Sequence, residues 1–211
     1  MVSFRKFLTE SSNNFSNNKD GKYVPKNRKE LKELVDDESI HLGDIDVKNV
    51  DYFTELFAFS KRKDFSGIEN WDVSHVKDMR GMFQYCYHFN EPIGKWNVSK
   101  VTEMSKMFYE CKKFNQPLDR WNVENVVDMS FMFANCENFN QPLNKWNVSK
   151  VKYIQGMFEY CKKFNQPLDR WNIKKVISHT STFTGTKILK QDVSKWAELN
   201  YRIDLNNLFK D

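Results

Sequence analysis

Residues 111–122 read CKKFNQPLDRWN, and residues 161–172 repeat the same twelve letters. Between them, residues 136–147 read CENFNQPLNKWN. Working outward, the six tryptophans Trp71, Trp96, Trp121, Trp146, Trp171 and Trp196 all fall 25 residues apart. The four cysteines, Cys86, Cys111, Cys136 and Cys161, keep that step, as do Pro92, Pro117, Pro142 and Pro167. A fixed period of this length is the signature of an array in which each repeat is one coil stacked on the last.

Within one coil the apolar residues are Leu118, Trp121, Val123, Val126, Met129, Met132 and Phe133. The first part, L-x-x-W-x-V, matches the strand pattern of a leucine-rich repeat, L-x-x-L-x-L. Strand alternation points Trp121 and Val123 inward and Asn122 outward. The second part steps by three and four, which predicts a short helix or helical turn. The expected fold is an α/β solenoid, a right-handed stack of about six coils. Short parallel strands form one face and short helices or turns the other.

A chain of 211 residues with 18 Phe and 6 Trp can bury a sizeable core and is no disordered polymer. The net charge of +5, from 33 basic and 28 acidic residues, is too mild to imply nucleic acid. No run of 18 apolar residues exists, so no membrane span is expected. The start lacks an apolar h-region, so no secretory signal peptide is expected, and a cytoplasmic monomer is the simplest reading.

Along the chain, residues 1–22 read as a flexible N-terminal segment, with SSNNFSNNKDGK at 11–22 as its linker. Residues 23–44 read as a capping helix. Asn27 is its N-cap, with Glu30 at capping-box spacing and Leu31, Leu34 and Val35 on one stripe. Such a helix would cover the apolar end of the array. Residues 45–196 form the repeats. The first begins at Ile45 and is one residue longer than the rest. Residues 197–211 read as the C-terminal cap.

These residues resemble the BspA-type leucine-rich repeats, a bacterial surface-protein repeat family first catalogued in mycoplasmas. The family phrase is close to W-[DN]-V-S-x-V-x-x-M-x-x-M-F-x-x-C-x-x-F-N-Q-P-L. WNVSKVTEMSKMFYECKKFNQPL, residues 96–118, matches it throughout. The resemblance implies a protein-binding or adhesin-like module with no catalytic residues. A second resemblance lies at the start. MVSFRKFLTE is similar to the capsid-targeting propeptides of tailed-phage internal head proteins, with Leu8-Thr9-Glu10 before Ser11 as the processing site. It implies a location in the virion interior and then the host cytoplasm.

The cysteine column forms a line, whereas a tetrahedral metal site needs ligands converging on one point. It reads as small buried side chains, and no metal or other cofactor is expected. His41, His75, His88 and His179 share no spacing, and no G-x-S-x-G or phosphate loop occurs. Enzymatic activity is not expected. The candidate binding residues are two outward columns. One is basic: Lys95, Arg120, Lys145 and Arg170. The other is Asn97, Asn122, Asn147 and Asn172, where stacked side chains could bond along a ladder. Like charges in a row repel, so the basic column suggests use by an acidic protein or a glycan. The competing surface is Lys112, Lys113, Lys162 and Lys163 on the opposite face. Nucleic acid is a poorer partner, because no exposed aromatic column is visible for stacking bases.

Overall fold

The computed structural model describes residues 15–188 and 193–210. The proposed processing site, Leu8, Glu10 and Ser11, lies outside the described residues.

The chain opens with a small hairpin. Strand β1 (Ser16–Asn17) pairs antiparallel with β2 (Tyr23–Val24). The turn between them is held by Asn18, whose side-chain oxygen accepts from the Asp20 and Lys22 N–H groups at 2.9 and 3.0 Å. Asn in this role mimics a backbone turn. Residues 16–22, read from composition as linker, therefore carry one strand and its turn. Helix α1 (Arg28–Asp36) follows, with the Asn27 side chain accepting from Glu30 N at 3.0 Å. The Glu30 carboxylate reaches back to Lys26 N at 2.8 Å. Leu31, Leu34 and Val35 are buried. Arg62 ties α1 to the first repeat, its guanidinium donating to Val35 O at 3.1 Å, Asp37 O at 2.7 Å and Ile40 O at 3.2 Å. Val35 O is one of the carbonyls that a helix end leaves without an intrahelical partner.

Successive turns, 26 residues for the first and 25 for the rest, then pair in parallel, one bridge per turn: Tyr52 to Asp78, Asp78 to Glu103, Glu103 to Asp128, Asp128 to Tyr153 and Tyr153 to Ser178. The location differs from expectation. No strand forms over Leu118–Val123, and no helix forms over Val126–Phe133. The pairing lies in the segment read as helical. There, Met79, Gly81, Phe83 and Tyr85 donate across to Glu103, Ser105, Met107 and Tyr109, at 2.8–2.9 Å. The alternate residues Met82, Gln84 and Cys86 donate back three residues within their own turn. Half of the N–H groups therefore knit neighbouring turns and half close β-turns, so neither a helix nor a continuous strand can form.

That alternation requires a left-handed residue twice per turn. One column is Glu55, Gly81, Lys106, Phe131, Gly156 and Ser181. The other is Phe59, Tyr85, Glu110, Asn135, Tyr160 and Gly185. All have φ between +52° and +68°. For residues with a Cβ this conformation costs about 1–2 kcal/mol each. Two of the glycines serve packing as well. A Cβ on Gly156 would lie 2.3 Å from the Phe131 ring, and one on Gly185 would lie 2.5 Å from the Tyr160 ring. In both cases a large aromatic in one turn lies over a glycine in the next.

The core is a set of side-chain columns. Phe57, Phe83, Phe108, Phe133, Phe158 and Phe183 stack with centroids 5.5–5.9 Å apart. Phe89, Phe114, Phe139 and Phe164 form a second column at 5.7–6.0 Å. Trp121, Trp146, Trp171 and Trp196 stack at 6.1–6.5 Å, within 12° of parallel. Each tryptophan from Trp71 to Trp171 donates its Nε1–H to a carbonyl of the preceding turn, at 2.7–3.2 Å. Trp is thus suited to the site twice over, as apolar bulk and because its own buried N–H finds a carbonyl with a lone pair to spare, each of these carbonyls also accepting from a backbone N–H. Helix α2 (Lys195–Leu199) and the stretch to Lys210 continue the stack, with Leu208 accepting from Phe183 N at 2.7 Å and Phe209 packed on Phe183 at 5.7 Å.

Candidate interaction surface

With the repeated Leu, Trp, Val, Met, Phe and Cys columns buried, the repeat presents its outward columns to solvent. Lys95, Arg120, Lys145 and Arg170 are all exposed, as are Asn97, Asn122, Asn147 and Asn172. Of the four cations, Lys145 alone has a carboxylate within 4 Å among the described residues: Asp119 of the preceding turn, at 3.4 Å. Asp169 is engaged by Asn144 at 3.0 Å.

The asparagines after each tryptophan do not form a ladder. Each accepts from the backbone N–H two residues on in its own turn: Ser99, Glu124, Ser149 and Lys174, at 3.1–3.3 Å. Asp72 does the same with Ser74 at 3.0 Å. This is the Asx-turn role, in which Asp and Asn are interchangeable. A true asparagine ladder lies elsewhere, in the repeated F-N-Q-P phrase. The backbone N–H groups of Asn115, Asn140 and Asn165 each donate to the side-chain oxygen of the asparagine one turn back, at 2.9 Å. Gln116 and Gln141 reinforce it by donating to Asn90 O and Asn115 O at 3.0 Å. The four repeats of F-N-x-P are the signal that could have located it, because only the ladder needs Asn at each step.

The competing lysines are exposed too but better partnered. Lys112 lies 3.7 Å from Glu110 and Lys162 lies 3.1 Å from Glu137. Lys163 donates to Asn138 at 2.6 Å.

The residues that hold this arrangement are those of a known repeat. A family described as "Mycoplasma protein of unknown function, DUF285" matches residues 29–126 and again 92–196. The chain is a DUF285 protein. No curated relative and no solved structure matches it. The two matches run from α1 to the last tryptophan, so the DUF285 region takes in both the helix and the stacked turns.

The DUF285 cysteines are buried, unpaired thiols. Each donates its S–H to the phenylalanine carbonyl of the preceding turn, Cys86 to Phe57, Cys111 to Phe83, Cys136 to Phe108 and Cys161 to Phe133, at 2.8–3.0 Å. Burial pushes the Cys86 thiol up to about 12 and raises the other three as well. These are poor nucleophiles, since the thiolate is the reactive form. Among the described residues no group of three His, Cys, Asp or Glu could hold a metal ion, and no helix is long and apolar enough to cross a membrane.

Two features of the DUF285 surface have no counterpart in the basic and asparagine columns. One is an acidic stack on the bridge column, Asp78, Glu103 and Asp128. Arg80 neutralises Asp78 at 2.7 Å. Burial, and then Asp128, hold the Glu103 carboxyl above its ordinary range. The other is aromatic. Phe59, Tyr85, Tyr87 and Tyr109 come together from three turns, with Phe59 stacked on Tyr85 at 4.6 Å. Sequence reasoning missed this cluster because its rings come from three different positions of the repeat and none of those positions stays aromatic from turn to turn. They meet only because the left-handed positions of neighbouring turns lie side by side.

Proposed function

We propose that the chain is a non-enzymatic protein-interaction module of the BspA-like leucine-rich-repeat type, its turns wound as a right-handed solenoid. The observation that carries this reading is the division of labour in the repeat. The recurring Leu, Trp, Val, Met, Phe and Cys positions are buried among the described residues, while Lys95, Arg120, Lys145 and Arg170 remain exposed, three of them without a carboxylate partner among those residues. A row of such cations on an extended stack suits an acidic protein surface, with an acidic glycan as the neighbouring possibility. Membership of a repeat family of unknown function agrees with this reading and goes no further.

The test is affinity capture followed by titration of the recovered partner. Arg120→Glu with Lys145→Glu should weaken binding at least about tenfold and reduce its salt dependence, because exposed charges are screened over about 8–10 Å. The assignment of this face fails if those reversals leave affinity unchanged while glutamates at Lys112, Lys113, Lys162 and Lys163 abolish it.

A second reading rests on Leu8-Thr9-Glu10 before Ser11: an internal phage head protein, clipped after Glu10 and delivered to bind a host factor. Intact-mass measurement of the native protein separates the two. A mature form beginning at Ser11 favours the second, and an intact start favours the first.

A further inference from the structure

Two outward columns change from turn to turn. The second left-handed position reads Phe59, Tyr85, Glu110, Asn135, Tyr160 and Gly185. Two residues further on, the chain reads Lys61, Tyr87, Lys112, Glu137, Lys162 and Lys187. In a chain built by duplication, positions that serve the stack recur, as Trp, Cys and Pro do here. Positions that vary are free of that demand. At these varying positions the first turns place an aromatic cluster on the surface. Tyr85 stacks with Phe59 at 4.6 Å and meets Tyr87 and Tyr109 edge-on, at 6.2 and 5.3 Å. Phe59 is 65% exposed and Tyr87 is 47% exposed.

The fold does not require rings there. The equivalents of Tyr109 and Tyr85 in later turns are Ala134 with Asn135, and Thr184 with Gly185. Phe59 and Tyr85 moreover hold φ of +60° and +61°, a conformation that bulky side chains resist. The stack sets the left-handed backbone in every turn, but not the bulky ring placed on it, and that exposed aromatic surface points to use.

The surroundings select the occupant. Tyr87 lies in its column between Lys61 and Lys112, one turn to either side, and Lys112 Nζ is 5.5 Å from its ring centroid. Lys113 adjoins, and Glu110, 3.7 Å from Lys112, partly offsets the charge. Phe59 and Tyr85 cover one face of each other, and Lys112 sits over Tyr87. One face of each of these rings is thus occupied, while Phe59 and Tyr87 keep apolar surface open to a partner. An apolar group beside carboxylates suits open rings bordered by lysines. We propose that this cluster is the docking site for an acidic peptide segment of a partner protein. Its apolar anchor seats among Phe59, Tyr85 and Tyr87, and its flanking carboxylates lie against Lys61, Lys112 and Lys113. This rests on the reading of the chain as a protein-binding module, but the surface is separate from the Lys95–Arg170 row.

The test pans a displayed library of short random peptides on the full chain. Enriched peptides are then titrated by fluorescence anisotropy against wild type, Phe59→Gly, Tyr87→Ser and the double reversal Arg120→Glu with Lys145→Glu. Glycine suits the left-handed backbone, so Phe59→Gly should melt at or above the wild-type temperature. Tyr87→Ser provides a second variant at a half-exposed position. The expected result is an enriched pattern of an apolar residue beside Asp or Glu. Affinity should fall at least about tenfold in Phe59→Gly and in Tyr87→Ser, and remain unchanged in the double reversal. Peptides that lose affinity only in the double reversal would overturn this site and leave the protein-binding reading standing. A library without binders would count against both. Single-stranded oligothymidylate or an oligosaccharide that bound only when Phe59 is present would also overturn the proposal, by assigning a different class of partner. So would a dimer seen by light scattering and lost in Phe59→Gly, which would make the occupant a second copy of the chain.

Discussion

Replacing Gly156 with alanine tests the packing rule that sets the spacing of the turns. Gly156 holds φ +58°, and a Cβ there would lie 2.3 Å from both Cδ1 and Cε1 of Phe131 in the preceding turn. Two costs follow. Holding alanine in the left-handed region takes about 1–2 kcal/mol. Forcing the Phe131 ring aside adds about 1–2 kcal/mol, the lower part of the range for overpacked sites, because Phe131 is only half-buried and can give way. The sum is about 2–4 kcal/mol, or about 4–16 °C in melting temperature for a domain of this size. Urea unfolding of Gly156→Ala, Phe131→Ala and the double variant separates the terms. In the Phe131→Ala background the ring is gone, so Gly156→Ala should cost the backbone term alone. Equal costs in both backgrounds would refute the idea that the ring lies over this glycine.

Trp121→Ala should cost about 3–5 kcal/mol, since it removes a buried ring from the stack and one of the two donors to Ile93 O; melting close to wild type would contradict the stacked core. The cysteines should resist a thiol reagent at pH 8 until the protein is denatured. At a thiol value of about 12, the thiolate of Cys86 is present at a fraction on the order of 10⁻⁴; rapid labelling of native protein would count against their burial. Glu103 supplies a pH test. Its carboxyl is raised in the folded state, so its charge costs stability at neutral pH, and the cost disappears as pH falls through the raised value toward 4.5. Glu103→Gln should therefore melt higher than wild type at pH 7 and match it near pH 4, and a difference independent of pH would rule this out.

The core was legible in the sequence. Phe, Met, Trp, Cys and Leu recur at a fixed step, and burial selects for apolar bulk whatever the backbone does between turns. Helix α1 was legible for a similar reason. Asn27, Glu30 and the Leu31, Leu34, Val35 stripe are local signals that need no distant partner. The bonding between turns was not legible. Steps of three and four fit a helical turn, but the chain meets them with β-turns whose left-handed residues send alternate N–H groups to the next turn. Asn at two positions of the repeat looks the same in one dimension. Only the geometry assigns Asn122 to its own turn and Asn140 to the ladder between turns.

The same limit applies to the surface. Periodicity determined which positions face outward, because alternation about a buried neighbour is a local property of the chain. It could not determine which outward side chains meet. Phe59 and Tyr85 share one repeat position across the longer first turn, but Tyr109 and Tyr87 stand at other positions, one residue before and two after that column. Their rings touch because bonds such as Phe59 N to Gln84 O and Tyr85 N to Tyr109 O, both 2.8 Å, bring those segments side by side. Arg62 is decided in the same way, as one arginine in a run of charges until the end of α1 supplies the carbonyls that hold it. The sequence by itself determined the repeat, its inward columns and its helical start. The tertiary structure decided which outward residues form a surface, because that depends on the offset between turns.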